Sequence, residues 1–263
     1  AAKIGLIDAS PFALVAVRLA IAATAAAVLV RAFGRAWPRA ASWPHLLIGG
    51  ALLHGLGLAL AHAALVSVDA TPTALVHAIH PILTTVLGSL LLRERFAVWQ
   101  WLGVALGFAG VVLGVPLALG TGNLALLGVS LFGLTGGTLY LRSFCADVPP
   151  FEATAVQLIG GALIVLVLML AFETPHWRWT APFIGALAWN TIAMSIFGMA
   201  LYNLMLDRHG AGRASAGFFL VPGASALMAY VLLAEHVTTM QIAGLACAST
   251  GVLLVWWRPA RAG

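Results

Sequence analysis

Long apolar runs separated by short polar connections set the pattern of this chain. The runs cover 11–31, 44–67, 71–92, 97–116, 122–145, 150–172, 182–206, 211–234 and 237–257. Each is close to the length of about 20 residues that an apolar helix needs to cross a bilayer. Turn signals mark the connections, among them Arg35-Ala36-Trp37-Pro38, Gly120-Thr121-Gly122-Asn123 and Val148-Pro149-Pro150. Pro81 sits near the centre of the third run. A proline there removes one backbone N–H and frees the carbonyl four residues earlier, so this run predicts a broken helix.

The pattern occurs twice. Pro222 repeats Pro81, Glu235 repeats Glu94, Gln241 repeats Gln100, Gly244 repeats Gly103 and Gly251 repeats Gly110, all at an offset of 141 residues without a gap. Asp8, Pro11 and Phe12 recur as Asp147, Pro150 and Phe151 at an offset of 139. The spacing predicts a first repeat over 1–119 and a second over 120–263. On this register the run at 122–140 has no partner in the first half. The expectation is a ten-helix, five-plus-five bundle, with nine full spans visible and the first helix missing or truncated before Ala1. Because five is odd, the halves insert with opposite orientations, and two broken helices in corresponding places point to a transport site at the bilayer midplane.

Composition makes the membrane reading firm. Of 263 residues, 62% are hydrophobic and 8% charged, against about 25% charged in a soluble domain. The formal net charge of +5 does not form a patch interleaved with aromatics, so no nucleic-acid partner is expected. Counted along alternating loops from a cytoplasmic start, Arg31, Arg35, Arg39, Arg93, Arg95, Arg142, Arg208, Arg213, Arg258 and Arg261 fall inside, and Lys3 and Arg178 outside. This bias predicts both termini in the cytoplasm. Trp37, Trp43, Trp99, Trp177, Trp179, Trp256 and Trp257 lie near span ends, as an interfacial belt requires. Two cysteines 102 residues apart, Cys145 and Cys247, argue against disulfide or metal chemistry. No cleavable signal peptide is evident.

The residues from Pro81 through Leu91-Leu92-Arg93-Glu94 to Gln100, Gly103 and Gly110-Val111 resemble the second half of an EamA repeat. The second copy, from Pro222 through Glu235, Gln241 and Gly244 to Gly251-Val252, resembles it again, and Pro11 with Arg18 fits the segment after the first helix. The chain is thus similar to the drug/metabolite transporter superfamily, and in size and two-repeat layout to the YddG-type amino-acid exporters. That resemblance implies ten helices around a central cavity, alternating access and a bacterial cytoplasmic (inner) membrane location. It leaves the solute open among amino acids, nucleotide sugars, vitamins and drugs.

Candidate chemistry lies in the spans. Thr73, His77, His80 and Thr84 share one helical face beside Pro81, where they offer donors and acceptors to a polar or zwitterionic solute. The alternative is that they bond neighbouring helices and hold the bundle. His54 is preferred over His62 as the deeper imidazole. Trp189 and Asn190 offer an aromatic wall and an amide, with core packing as the alternative. Phe218, the repeat partner of His77, and Pro222 would line the same site differently. Arg18 suits a substrate carboxylate, but equally snorkelling or the capping of a backbone break; its repeat partner is Gln157. Glu94 and Glu235 are read as structural residues at helix ends. Gly103, Gly110, Gly244 and Gly251, like Gly133 and Gly137, permit close helix approach.

The sequence therefore predicts a non-enzymatic exporter of small metabolites, amino acids being the favoured class, with no cofactor and no metal. Protons are a candidate coupling ion, and a monomer and a homodimer fit equally. A proton-coupled exporter of lipophilic cations is the rival; that chemistry wants a buried carboxylate, and none is expected deep in the nine runs. An intramembrane enzyme is disfavoured because no nucleophile motif is present.

Overall fold

The computed structural model describes residues 1–91, 97–114, 121–210, 214, 227, 228, 230, 231 and 238–257. Helix is the regular structure among them, with no strand among the described residues beyond an isolated antiparallel bridge between Ala9 and Trp177. In order the elements are α1 (Ala2–Gly5), α2 (Pro11–Ala32), α3 (Ala40–Ala64), α4 (Ala70–His77), α5 (His80–Leu91), α6 (Val98–Gly114), α7 (Thr121–Phe144), α8 (Pro150–Phe172), α9 (Ala181–His209) and α10 (Thr239–Trp256). Five of these, α2, α3, α7, α8 and α9, are long and apolar enough to cross a membrane. The protein is a multi-pass membrane protein. Most of the run at 211–234 lies outside the described residues.

The chain divides into two compact units, Ala1–Ser67 with Gly120–Gly210, and Val68–Leu119 with Ala211–Gly263. Each unit therefore draws on both halves of the sequence.

In the first unit, α2 and α8 start on the repeat-related prolines Pro11 and Pro150, each in the first helical position, where the missing N–H has no partner to lose. They run antiparallel. Glu173, just past α8, accepts from the backbone N–H groups of Phe12 (3.2 Å) and Ala13 (2.7 Å), capping α2. At the other end Arg35 pairs with Glu152 in the first turn of α8 at 3.2 Å. Val15, Leu19, Ala22, Ala26 and Val30 of α2 form a core with Ala155, Leu158 and Val165 of α8. Helix α3 packs on α7 and α8. A Cβ at Gly133 would lie 2.7 Å from the Gly57 nitrogen, and one at Gly137 3.0 Å from the Leu53 nitrogen, so both glycines allow the backbone approach their spacing predicts.

Two helices of this unit are irregular in the same way. Ala51–Ala59 of α3 and Asn190–Gly198 of α9 are π-helical. The segments are equally long and lie 139 residues apart, the offset of the Pro11 and Pro150 pair. Runs of this kind are rare and concentrate at functional sites.

In the second unit α6 and α10, also repeat-related, pack antiparallel. A Cβ on Gly103 would lie 2.5 Å from the Gly251 carbonyl oxygen, and one on Gly110 2.6 Å from the Ala248 nitrogen, beside Gly244. Gln100 Oε1 accepts from the Ala97 N–H and Gln241 Oε1 from the Thr238 N–H, both at 2.8 Å, so both helices begin with a glutamine that reaches back; Thr238 Oγ1 completes a capping box by accepting from the Gln241 N–H, which Ala97 cannot do.

The third run is split. Helix α4 ends at His77, Ala78 and Ile79 form a turn, and α5 begins at His80. Pro81 is thus the second residue of a new helix, where it breaks no intrahelical bond. The Ile79 N–H bonds three residues back to Val76 at 3.1 Å, and the Leu83 N–H reaches Ile79 at 2.9 Å.

Candidate functional site

The polar face beside this break belongs to the second unit. His80 and Thr84 are fully buried. Thr84 Oγ1 donates to the His80 carbonyl at 2.7 Å and lies 3.3 Å from His80 Nδ1. His77 Nδ1 sits 2.8 Å from the Thr73 carbonyl oxygen, and Thr73 Oγ1 donates to the Asp69 carbonyl at 2.9 Å. Three of the four residues on the predicted face thus bond to a carbonyl one turn back. This occupies one polar atom of each and fixes the side chain along its own helix. Pro81 and Thr85 are buried beside them, and Thr85 Oγ1 has no partner. Phe218, Pro222, Glu94 and Glu235 lie outside the described residues.

A second polar group lies in the first unit. Arg18 of α2 is 6% exposed and donates from Nε to Ser195 Oγ at 2.8 Å. Snorkelling to the interface is thereby replaced by a bond to the π-helical segment of α9. His54, on the π-helical segment of α3, is 4% exposed and within electrostatic reach of Arg18; its Nε2 has no partner. His62 is equally buried, with Nδ1 2.9 Å from the Leu58 carbonyl oxygen. The structure separates Trp189 from Asn190. Trp189 is 57% exposed, whereas Asn190 is buried and donates to the Ala186 carbonyl at 2.8 Å. Consecutive helical residues point in different directions, so the two side chains diverge.

Other groups escape a reading by runs and motifs. Asn203 Nδ2 donates to Thr154 Oγ1 at 2.7 Å and to Gln157 Oε1 at 3.1 Å, so the repeat partner of Arg18 sits in a neutral network. Glu152, third in α8, is a buried carboxylate, and its Oε2 has no partner. Its place in a first helical turn hid this, since such residues ordinarily reach water. Burial, and then the Asp147 carboxylate, pushes the Cys145 thiol up to about 11, which leaves it a poor nucleophile. Among the described residues no group of three His, Cys, Asp or Glu side chains could hold a metal ion.

The chain matches the EamA-like transporter family over residues 1–115 and again over 120–257. An uncharacterized transporter of Archaeoglobus fulgidus is 27% identical over 94% of this chain and 88% of its own length. An uncharacterized transporter of Synechocystis, sll0355, is 26% identical over 95% of this chain and 82% of its own. YvbV of Bacillus subtilis, likewise an uncharacterized transporter, is 29% identical over 66% of this chain but only 59% of its own length. A solved crystal structure shares the fold with a TM-score of 0.76 at 18% identity, covering 94% of this chain and 88% of that one. With a helix broken beside the buried His80 imidazole and two family matches that together span nearly every residue, the chain belongs to the EamA-like transporter family and is a membrane transporter.

Proposed function

We propose that the protein exports small polar or amphipathic metabolites, amino acids foremost, by alternating access around a midplane site that includes His77, His80, Pro81 and Thr84. The observation that carries this reading is the helix break at Ala78–Ile79, which sets buried His80 and Thr84 at the centre of an apolar run. An ionisable group there is costly in lipid and is held for function. The antiparallel packing of repeat-related helices, α2 with α8 and α6 with α10, supports a ten-helix inverted-repeat bundle with repeats over 1–119 and 120–263. Such a bundle works by rocking of its halves around a fixed site. The loop arginines support cytoplasmic termini in a bacterial inner membrane. No covalent step is involved.

A second reading, a proton-coupled exporter of lipophilic cations, gains one observation. Glu152 is a buried carboxylate with one unpartnered oxygen, the kind of group that proton coupling uses. Counterflow in proteoliposomes separates the two, with labelled amino acids, nucleosides and lipophilic cations supplied with and without a pH gradient. Amino-acid counterflow lost in a His77→Ala, His80→Ala variant is the expected result. Cation transport alone, abolished by Glu152→Gln, would replace the first reading with the second.

A further inference from the structure

A guanidinium inside a membrane protein is expensive unless something neutralises it. Arg18 has no such partner among the described residues. Every described carboxylate of its unit sits at a helix end: Asp8 before α2, Asp147 before α8, Glu152 in the first turn of α8, Glu173 after α8 and Asp207 in the last turn of α9. Asp8 is paired with Arg178 at 3.1 Å and Glu152 with Arg35. Ser195, the hydrogen-bond partner of Arg18, is neutral. It takes the Nε donor and leaves the two terminal nitrogens, the end of a guanidinium that grips a planar carboxylate through two parallel hydrogen bonds.

The surroundings suit an anion. Arg18 stands on a helix that contacts both π-helical segments. One segment supplies Ser195; the other supplies His54, whose buried Nε2 is unpartnered and within electrostatic reach. Thr191 Oγ1, one turn before Ser195, is a further buried and unpartnered hydroxyl. A bound carboxylate would remove the uncompensated charge, which neutral Ser195 does not. The equivalent position in the second half confirms how local the feature is, because Gln157 closes a neutral network with Asn203 and Thr154.

We propose that Arg18, bonded to Ser195 of the π-helical segment of α9, is a carboxylate-binding subsite within the first unit. This rests on the export reading only in naming the carboxylate as part of the transported solute.

The test uses full-length protein in detergent and three related probes: leucine, isovalerate (the carboxylate without the amine) and leucinamide (the amine without the carboxylate). Binding is read as ligand-dependent thermal stabilisation. Isovalerate is expected to stabilise the wild type, and Arg18→Gln to weaken its binding at least about 30-fold, as loss of one partner of a buried charge pair does. Leucinamide should respond equally to both proteins. Ser195→Ala, which keeps the charge, should stay within about threefold of wild type for isovalerate, since one neutral contact is worth little net. Should Arg18→Gln not fold, Arg18→Lys serves: it keeps the charge, loses the planar grip and should weaken isovalerate about tenfold.

Isovalerate binding equal in wild type and the Arg18 variants would overturn the subsite, as would a wild type that isovalerate does not stabilise. A loss in Ser195→Ala as large as in Arg18→Gln would also overturn it, by making Arg18 a clamp on the π-helical segment. Stabilisation by sodium chloride equal to that by isovalerate would overturn it too, by assigning the guanidinium to an inorganic anion. Isovalerate binding without any leucine response would keep the subsite and refute the amino-acid reading.

Discussion

Two pairs of repeat-related helices, one in each unit, have diverged to different degrees. In α6 and α10 the positions that matter have stayed alike. Gly103 with Gly251 and Gly110 with Gly244 meet backbone to backbone, and Gln100 and Gln241 each accept from the backbone N–H three residues back. In α2 and α8 the prolines that open the helices match, but buried Arg18 faces Ser195 where Gln157 faces Asn203. Positions kept alike stitch helices together; positions allowed to differ place a guanidinium at one site and a neutral amide network at its counterpart. A duplicated chain is free to make one copy of a site chemically distinct as long as the packing that both copies share is left alone.

Forcing the α2 and α8 pair to become alike should have the largest effect. Gln157→Arg puts an uncompensated charge into a neutral network and is expected to cost at least about 4 kcal/mol, seen as loss of monodisperse protein in size-exclusion chromatography. Next comes the stitched pair itself. Gly110→Leu drives a side chain into the α10 backbone and should cost about 3 kcal/mol, read as a lower unfolding temperature in detergent; an unchanged temperature would mean that the two helices are not in contact. The two caps then allow a finer comparison. Gln100 also donates to the Val255 carbonyl at 3.1 Å, so Gln100→Ala should cost about 2 kcal/mol and Gln241→Ala about 1 kcal/mol. Equal costs would make that extra bond worthless. The smallest effect has the opposite sign. A Cβ at Gly128 of α7 meets nothing within 4 Å, so Gly128→Ala should stabilise by about 0.5 kcal/mol, through helix propensity alone.

Much of this could be read from residue order, for physical reasons that differ by element. The limits of α2 and α8 follow from Pro11 and Pro150 and from unbroken apolar runs, and they agree with the expected spans to within a residue. The break in the third run was legible from Pro81, but its place was not. The proline is better housed in the first turn after the break than at the break, so the chain turns at Ala78 and Ile79. The π-helical segments were invisible, since a run that is apolar on every face carries no period from which the number of residues per turn could be read. The same blankness hid which way Trp189 points. Arg18 was noticed as a charge in an apolar run, yet Ser195 lies 177 residues away, and no spacing rule joins residues that far apart. Glu173 as the cap of α2 escaped for the same reason.

The two π-helical segments bear on how the halves of the chain are compared. Aligned at their shared offset, Ala-Leu-Leu-His-Gly-Leu-Gly-Leu-Ala over 51–59 and Asn-Thr-Ile-Ala-Met-Ser-Ile-Phe-Gly over 190–198 agree at no position. Both segments nevertheless hold the same over-wide turn. Two segments can thus share a backbone shape without sharing a residue, and likeness between halves can be read in the path of the main chain where the spelling shows none.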